Sequence, residues 1–197
     1  VDCIIEMVEE EIPWVSRGAL KLIEALNEWN PEIENGIFMD IGASTGGFTQ
    51  VLLDCKASKV YCVDVGTAQL HEKIKGNDKT VNLEKTHVRE LSPKLIQDPI
   101  DGCVIDVSFI SLEKILPFIH SFIKDGGWIV ALVKPQFEVG KNNVGKGGIV
   151  KDTKLFKDVI ENVKKWGKLN NLIYQEHISS PILGGDGNRE FLMYLRK

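Results

Sequence analysis

The stretch FMDIGASTGGFT, residues 38–49, constrains this chain more than any other. An apolar run with strand character enters a glycine-rich turn, and the turn opens directly into a helical pattern. Glycine lets backbone approach a neighbour closely, because it carries no Cβ. The spacing fits the phosphate-binding loop G-x-x-x-x-G-K-[ST] at Gly42, Gly47 and Thr49, but Phe48 stands where the lysine belongs. The loop looks built to hold a ligand, and the lost lysine bears on which one.

Strand and helix patterns alternate around it. Residues 17–29 space Leu22, Ile23 and Leu26 as a helix, with Ser16 as its cap and Lys21 on a different face from Leu22 and Ile23. GIFMDI then reads as a strand, GGFTQVLLDC as a helix and KVYCVDV as a strand, while residues 67–82 are polar and suggest one short helix. DGCVIDV is a strand, SLEKILPFIHSFI a helix and GWIVALV a strand. GKNNVGKGG reads as a mobile loop, TKLFKDVIENVKKWG as a helix, and NLIYQEHI and EFLMYL as terminal strands. Such alternation predicts an α/β fold with a doubly wound, mostly parallel sheet, whose ligands sit beyond the carboxyl ends of the strands.

Three ligand classes compete for the loop. A triphosphate wants the missing lysine and would be repelled by Asp40, just before the turn. A dinucleotide wants G-x-G-x-x-G, and counting from Gly42 the middle glycine is Ser44. A ligand with an ammonium group and a ribose suits both acids in reach. Asp40 would take the ammonium, and Asp64, at the end of the next strand, would take the ribose hydroxyls. S-adenosylmethionine is such a ligand, lying along Asp40, Gly42, Ala43, Ser44, Gly46, Gly47 and Phe48, with Asp64 and Asp106 beside it.

The net charge of −4 argues against a nucleic-acid partner, yet its distribution matters more. Five acids crowd residues 1–13, so the rest carries a net charge of +1, and residues 134–168 hold nine lysines against four acids. A solvated lysine-rich helix would account for that excess as well as an RNA-facing surface would. The longest purely apolar run, Trp128 to Val133, is far short of the ~20 residues of a membrane span. The four cysteines form no C-x-x-C pair and the four histidines are scattered, so no metal site is expected. Reduced thiols and an acidic rather than basic start point to the cytoplasm. The first residue is not Met, as in a piece of a longer chain.

Four more residues stand out by position. Asp106 and Lys134 end strands, Glu190 opens the last one, and Lys21 lies on the first helix. A lysine ending an apolar strand is uncommon, because desolvating its charge is costly unless it is paired. WVSRGALKL, DIGASTGGFTQVLL, DVSFISL, VKPQFE and GNREFL together resemble the TlyA/hemolysin A family of RNA methyltransferases, related to the FtsJ-like ribose 2′-O-methyltransferases. The resemblance runs from about residue 14 to residue 197; residues 1–13 match nothing in it. It implies a Rossmann-like methyltransferase sheet with an antiparallel last strand, S-adenosylmethionine as cofactor, and ribosomal RNA or ribosomal subunits as partners. It maps the family's Lys-Asp-Lys-Glu tetrad onto Lys21, Asp106, Lys134 and Glu190, and implies a small S4-type RNA-binding domain ahead of the catalytic one.

The residues agree with that chemistry. A ribose 2′-hydroxyl must lose its proton as it attacks a methyl group. Lys134 could take the proton or, as an ammonium, stabilise the oxygen; the sequence leaves both open. The strand before Asp106 lacks the [DN]-P-P-[YFW] motif of amino-methyltransferases, and Cys103 lies inside that strand, away from a nucleophile's place. Lys141 and Lys146 in the basic loop, with Arg17 and Arg189 beside the tetrad, are RNA phosphate contacts on this reading. A membrane-lytic protein, as the name hemolysin suggests, finds no span here, and an RNA-binding module without chemistry would not need the tetrad.

Overall fold

A computed structural model describes residues 13–197. The acidic segment 1–13 therefore lies outside the described residues, except for Pro13. Among the described residues there are seven strands: β1 (Ile37–Ile41), β2 (Lys59–Val63), β3 (Thr80–Leu83), β4 (Ile100–Ile105), β5 (Ile123–Val133), β6 (Ile173–Ser179) and β7 (Phe191–Arg196). They form one sheet in the order β3-β2-β1-β4-β5-β7-β6. β3, β2, β1, β4 and β5 pair in parallel, and β7 is antiparallel to both β5 and β6. The order reverses between β1 and β4, which is where a doubly wound sheet opens a crevice.

The central strands are buried on both faces, hence their continuous apolar runs. One face packs Met39, Ile41, Ile105 and Ile129 against Leu116, Val159 and Val163, the last two on α6 (Lys154–Leu169). The other packs Phe38, Val60, Val104 and Val130 against α1 (Ala19–Trp29) and α2 (Gly47–Asp54). Among the described residues no helix is long and apolar enough to cross a membrane.

Several local expectations need correcting. Ser16 does not cap α1; Gly18 holds the cap position without a side-chain bond. Residues 67–82 form a short helix, α3 (Glu72–Lys75), and then the edge strand β3 rather than one helix. The helix read in SLEKILPFIHSFI is instead a 3-10 turn, Leu112–Lys114, and a four-residue helix, α4 (Leu116–Ile119), with Pro117 in its first turn. The strand expected from Gly127 begins at Ile123. The basic loop holds two short 3-10 turns, Lys141–Asn143 and Lys146–Gly148.

Candidate active site

The register aligns the singled-out residues at one edge of the sheet. Ile41 pairs with Val63 and with Ile105, so Gly42, Asp64 and Asp106 leave their strands side by side. β5 runs further, since Ile105 pairs with Ala131, and Lys134 follows its last residue. Val133 pairs with Phe191, and the antiparallel sense of β7 brings Glu190 in beside Lys134's end of the sheet. Five strands thus deliver their polar ends to one place.

The glycine loop does not hold its amides out for phosphate. Gly42 and Ala43 both donate to the Val63 carbonyl, at 2.8 and 3.2 Å, and Gly46 donates to Ala43 at 2.7 Å. The Ser44 amide donates to Asp64 Oδ2 at 2.8 Å. Phe48, in place of the lysine, is buried in the core on the α1–α2 face. Gly42 (φ +84°), Ser44 (φ +48°) and Gly46 (φ +93°) are left-handed, which curls the loop back on itself. A Cβ on Gly42 would collide with the Asp106 carbonyl oxygen, so glycine is required for the turn to rest on β4's end.

Two adjoining chambers open beyond this edge. The first, of about 320 Å³, lies between the ends of β1, β2 and β4, and Asp64 stands in its wall with Val65, Gln69, His87, Val88 and Ile115. The second, of about 310 Å³, is lined by Asp40, Lys21, Lys134 and Arg17, with Ala43, Gly47 and Phe48. Gly42, Ser44, Asp106 and Ser108 line both. Asp64 is held by two backbone amides, Ser44 on Oδ2 and Gly66 on Oδ1 at 2.7 Å, which fix its plane and leave each oxygen a further lone pair.

Asp40 is buried at the back of the second chamber. Its Oδ2 accepts the Thr49 hydroxyl at 2.7 Å, and its Oδ1 has no hydrogen-bond partner among the described residues. Burial, opposed in part by the Thr49 bond and reinforced by Asp106 and Asp64, pushes its carboxyl up to about 7. An unpartnered buried carboxylate oxygen on a cavity wall fits a cationic donor, as an ammonium group would be.

The four tetrad positions resolve into two ion pairs. Lys21 reaches Glu190 Oε2 at 2.6 Å, and Lys134 reaches Asp106 Oδ1 at 2.6 Å. Lys21 is buried with Ala19, Leu22 and Ala25 rather than turned to solvent, and Glu190 lies behind it, outside both chamber walls. Lys134 also donates to Ser108 Oγ at 2.9 Å. The start of α1 crosses above Asp106, and a Cβ on Gly18 would lie 3.9 Å from its Oδ2. Together the residues make a chamber with two lysines and an open carboxylate facing one space.

Known proteins carry the same arrangement of elements. The model of the FtsJ-like methyltransferases matches residues 14–197. This chain belongs to that family. YqxC of Bacillus subtilis is 43% identical over 183 residues, which cover 92% of this chain and 65% of that protein. The 16S/23S rRNA (cytidine-2′-O)-methyltransferase TlyA of Mycobacterium tuberculosis strain H37Rv is 40% identical over 190 residues, 96% of this chain and 71% of that one. The chain thus spans about two thirds of the length of these curated relatives. A solved Lactococcus lactis structure bearing the name hemolysin superposes with a TM-score of 0.91 at 42% identity, over 95% of this chain and 90% of the other.

Within this FtsJ-like domain, not every expected residue reaches the chambers. Gly46 lines neither and packs beneath Leu70 and Ile74. Arg17 lines the second chamber, while Arg189, Lys141 and Lys146 are exposed and line neither. Ser108, Phe109, His87 and Val88 were not legible as site residues. His87 and Val88 follow β3, the strand the sequence hid, and Ser108 and Phe109 lie two and three residues past the end of β4's acid.

Proposed function

We propose that the chain is the catalytic domain of a cytoplasmic S-adenosylmethionine-dependent methyltransferase that modifies a ribose 2′-hydroxyl of ribosomal RNA. The observation that carries this reading is the second chamber. It joins an unpartnered carboxylate oxygen, on Asp40, to two lysines that are each paired with an acid. When bound, S-adenosylmethionine supplies an electrophilic methyl group on a positive sulfur. Asp40 suits its ammonium, and Asp64, fixed by two amides, suits its ribose hydroxyls.

The acceptor ribose enters from the Lys134 side. Its 2′-oxygen would take the methyl group as the sulfur–methyl bond breaks and S-adenosylhomocysteine leaves, and the hydroxyl proton must be taken up or its charge balanced. Lys134 takes that proton or holds the negative charge on the oxygen, and Asp106 keeps the amine in place at 2.6 Å. Lys21, fixed by Glu190, adds positive charge to the opposite wall and favours the same charged oxygen. Arg17 on the chamber wall, with Arg189, Lys141 and Lys146 on the surface, supplies contacts for RNA phosphates. An S4-type domain in the full protein would add further RNA contacts.

Calorimetric titration with S-adenosylmethionine, followed by methyl transfer to ribosomal subunits and mapping of 2′-O-methyl groups, tests the whole reading. Cofactor binding and a ribose methyl mark are expected. Methylation confined to a base, or tight binding of ATP or NAD by the glycine loop, would refute it.

A further inference from the structure

The loops that follow β4 and β5 are fastened to one another step by step. Lys134 donates to Ser108 Oγ at 2.9 Å, and the Phe137 and Phe109 ring centres lie 5.1 Å apart. Glu138 accepts the Ser111 hydroxyl at 2.6 Å and the Leu112 amide at 3.0 Å. Phe109 holds a left-handed φ of 64° in the bend over residues 108–110. That conformation is strained for an aromatic residue, and the seam of contacts sustains it.

Ser108 is the member of this seam that faces the chemistry. It lines both chambers, and its hydroxyl oxygen accepts from a buried ammonium that also meets Asp106 Oδ1. Among the described residues no acceptor takes the Ser108 hydroxyl proton, which leaves that proton free for a group in the shared space. An ammonium offers three N–H directions at tetrahedral angles. Ser108 takes one of them, while Asp106 Oδ1, at 2.6 Å, holds the amine by charge and not by a hydrogen bond, so the serine oxygen is what fixes the amine's rotation. A base needs a lone pair turned to the substrate, and an electrostatic stabiliser needs an N–H turned to it.

We propose that Ser108 is a positioning residue for Lys134: its hydrogen bond fixes the rotation of an amine that Asp106 holds by charge alone, and so aims the amine's other directions at the second chamber. This rests on the role given to Lys134 under the proposed function. Ser108 is exposed, so its replacement does not threaten the core.

Ser108→Ala should slow single-turnover methyl transfer to ribosomal subunits roughly 10–100-fold at saturating RNA and cofactor, the scale of one hydrogen bond to a charged group. S-adenosylmethionine affinity and the melting temperature should stay at the parent values. Ser108→Thr keeps the hydroxyl and should stay within about threefold of the parent rate. A second readout needs no RNA. In nitrogen-15 lysine spectra the Lys134 ammonium, assigned by its loss in Lys134→Arg, should exchange slowly in the parent and broaden in Ser108→Ala. If the parent transfers no methyl group, the proposed function fails and this spectrum still decides the role of Ser108. An unchanged rate or an unchanged resonance in Ser108→Ala overturns the proposal. So does a threonine variant as slow as alanine, or a loss of cofactor affinity that matches the loss of rate.

Discussion

The two lysine–carboxylate pairs have the same length and different surroundings. Lys21 and Glu190 meet at 2.6 Å with 9% and 3% of their side chains exposed. Lys134 and Asp106 meet at 2.6 Å with 10% and 22% exposed. Glu190 is walled in further by Gly184, where an added Cβ would come within 2.5 Å of its Oε1. Asp106 instead forms part of both chamber walls. Equal distances therefore do not mean equal roles. The closed pair ties α1 to the start of β7, across 169 residues of sequence, and sets charge and position. The open pair has a route by which a substrate proton can arrive.

The sharpest way to break this contrast is to remove each lysine in turn. Lys134→Ala should lower single-turnover methyl transfer by roughly 10²–10⁴, about 3–5 kcal/mol of transition-state stabilisation. Its melting temperature should fall less than that of a Lys21 variant, because the Asp106 left behind keeps part of its side chain exposed even though the Oδ1 facing Lys134 is buried. Lys134→Arg distinguishes the two chemical roles. Arginine cannot release its proton near neutral pH, so it rescues an electrostatic role in part and a base not at all. Full activity in a folded Lys134→Ala protein would remove the open pair from the chemistry.

Lys21→Met should act first on stability. It strands the Glu190 carboxylate in the interior, and breaking a buried pair on one side costs about 3–5 kcal/mol. Lys21→Met combined with Glu190→Leu should recover most of that loss in a denaturant titration, since replacing a whole buried pair by apolar groups is often close to neutral. Methyl transfer should remain reduced in the recovered double variant, because the positive wall of the chamber is gone. Wild-type melting in Lys21→Met alone would mean that the closed pair is no anchor.

A smaller effect is expected where the ligand meets an acid rather than a lysine. Asp64→Ala should weaken S-adenosylmethionine binding by about 1–3 kcal/mol, the scale for charge-assisted hydrogen bonds. It also frees the Ser44 and Gly66 amides, so part of that loss reflects the loop's own geometry. Calorimetric affinity unchanged by the substitution would take Asp64 out of the site.

The same contrast explains what the sequence could reveal. Strand-end residues were readable, because an apolar run that stops at Asp40, Asp106 or Lys134 marks a position along the sheet axis. Pairing was not readable, because it depends on register: the approach of Lys21 to Glu190 needs α1 folded onto the sheet and β7 antiparallel to β5. Edge elements were the least legible. β3 has no fully buried residue along TVNL, so it lacks the apolar run that gave the central strands away. Pro117 interrupts a helical spacing that otherwise runs through Leu112, Ile115, Leu116 and Ile119, and the chain folds there as two short turns. Ser108 stood within the motif DVSFISL, but a serine two residues after an acid acquires a role only from Lys134, 26 residues away.

Asp40 offers the mildest test, and it sharpens the contrast from the cofactor side. Its carboxyl stands near 7, against an ordinary value of 3.8, chiefly because it is buried. Asp106, Asp64, Arg17, Lys21 and Lys134 are the charged groups around it in the chambers, and Thr49 is its hydrogen-bond donor. Below about pH 4 both the folded and the unfolded chain hold the proton, and the group leaves stability unchanged. Between about 4 and 7 only the folded chain keeps it, so stability falls as pH rises; above 7 the cost of the buried charge, on the order of 4 kcal/mol, is fully present. A cationic ligand reverses the preference, because it favours the ionised form. S-adenosylmethionine affinity should therefore rise about tenfold per pH unit up to about 7 and level off above it. Binding at pH 6 should release close to one proton and at pH 8 almost none, measured by calorimetry in buffers of different ionisation enthalpy. Asp40→Asn should bind weakly at pH 8 and lose both the slope and the proton release. A flat profile in the parent protein would separate Asp40 from the ammonium.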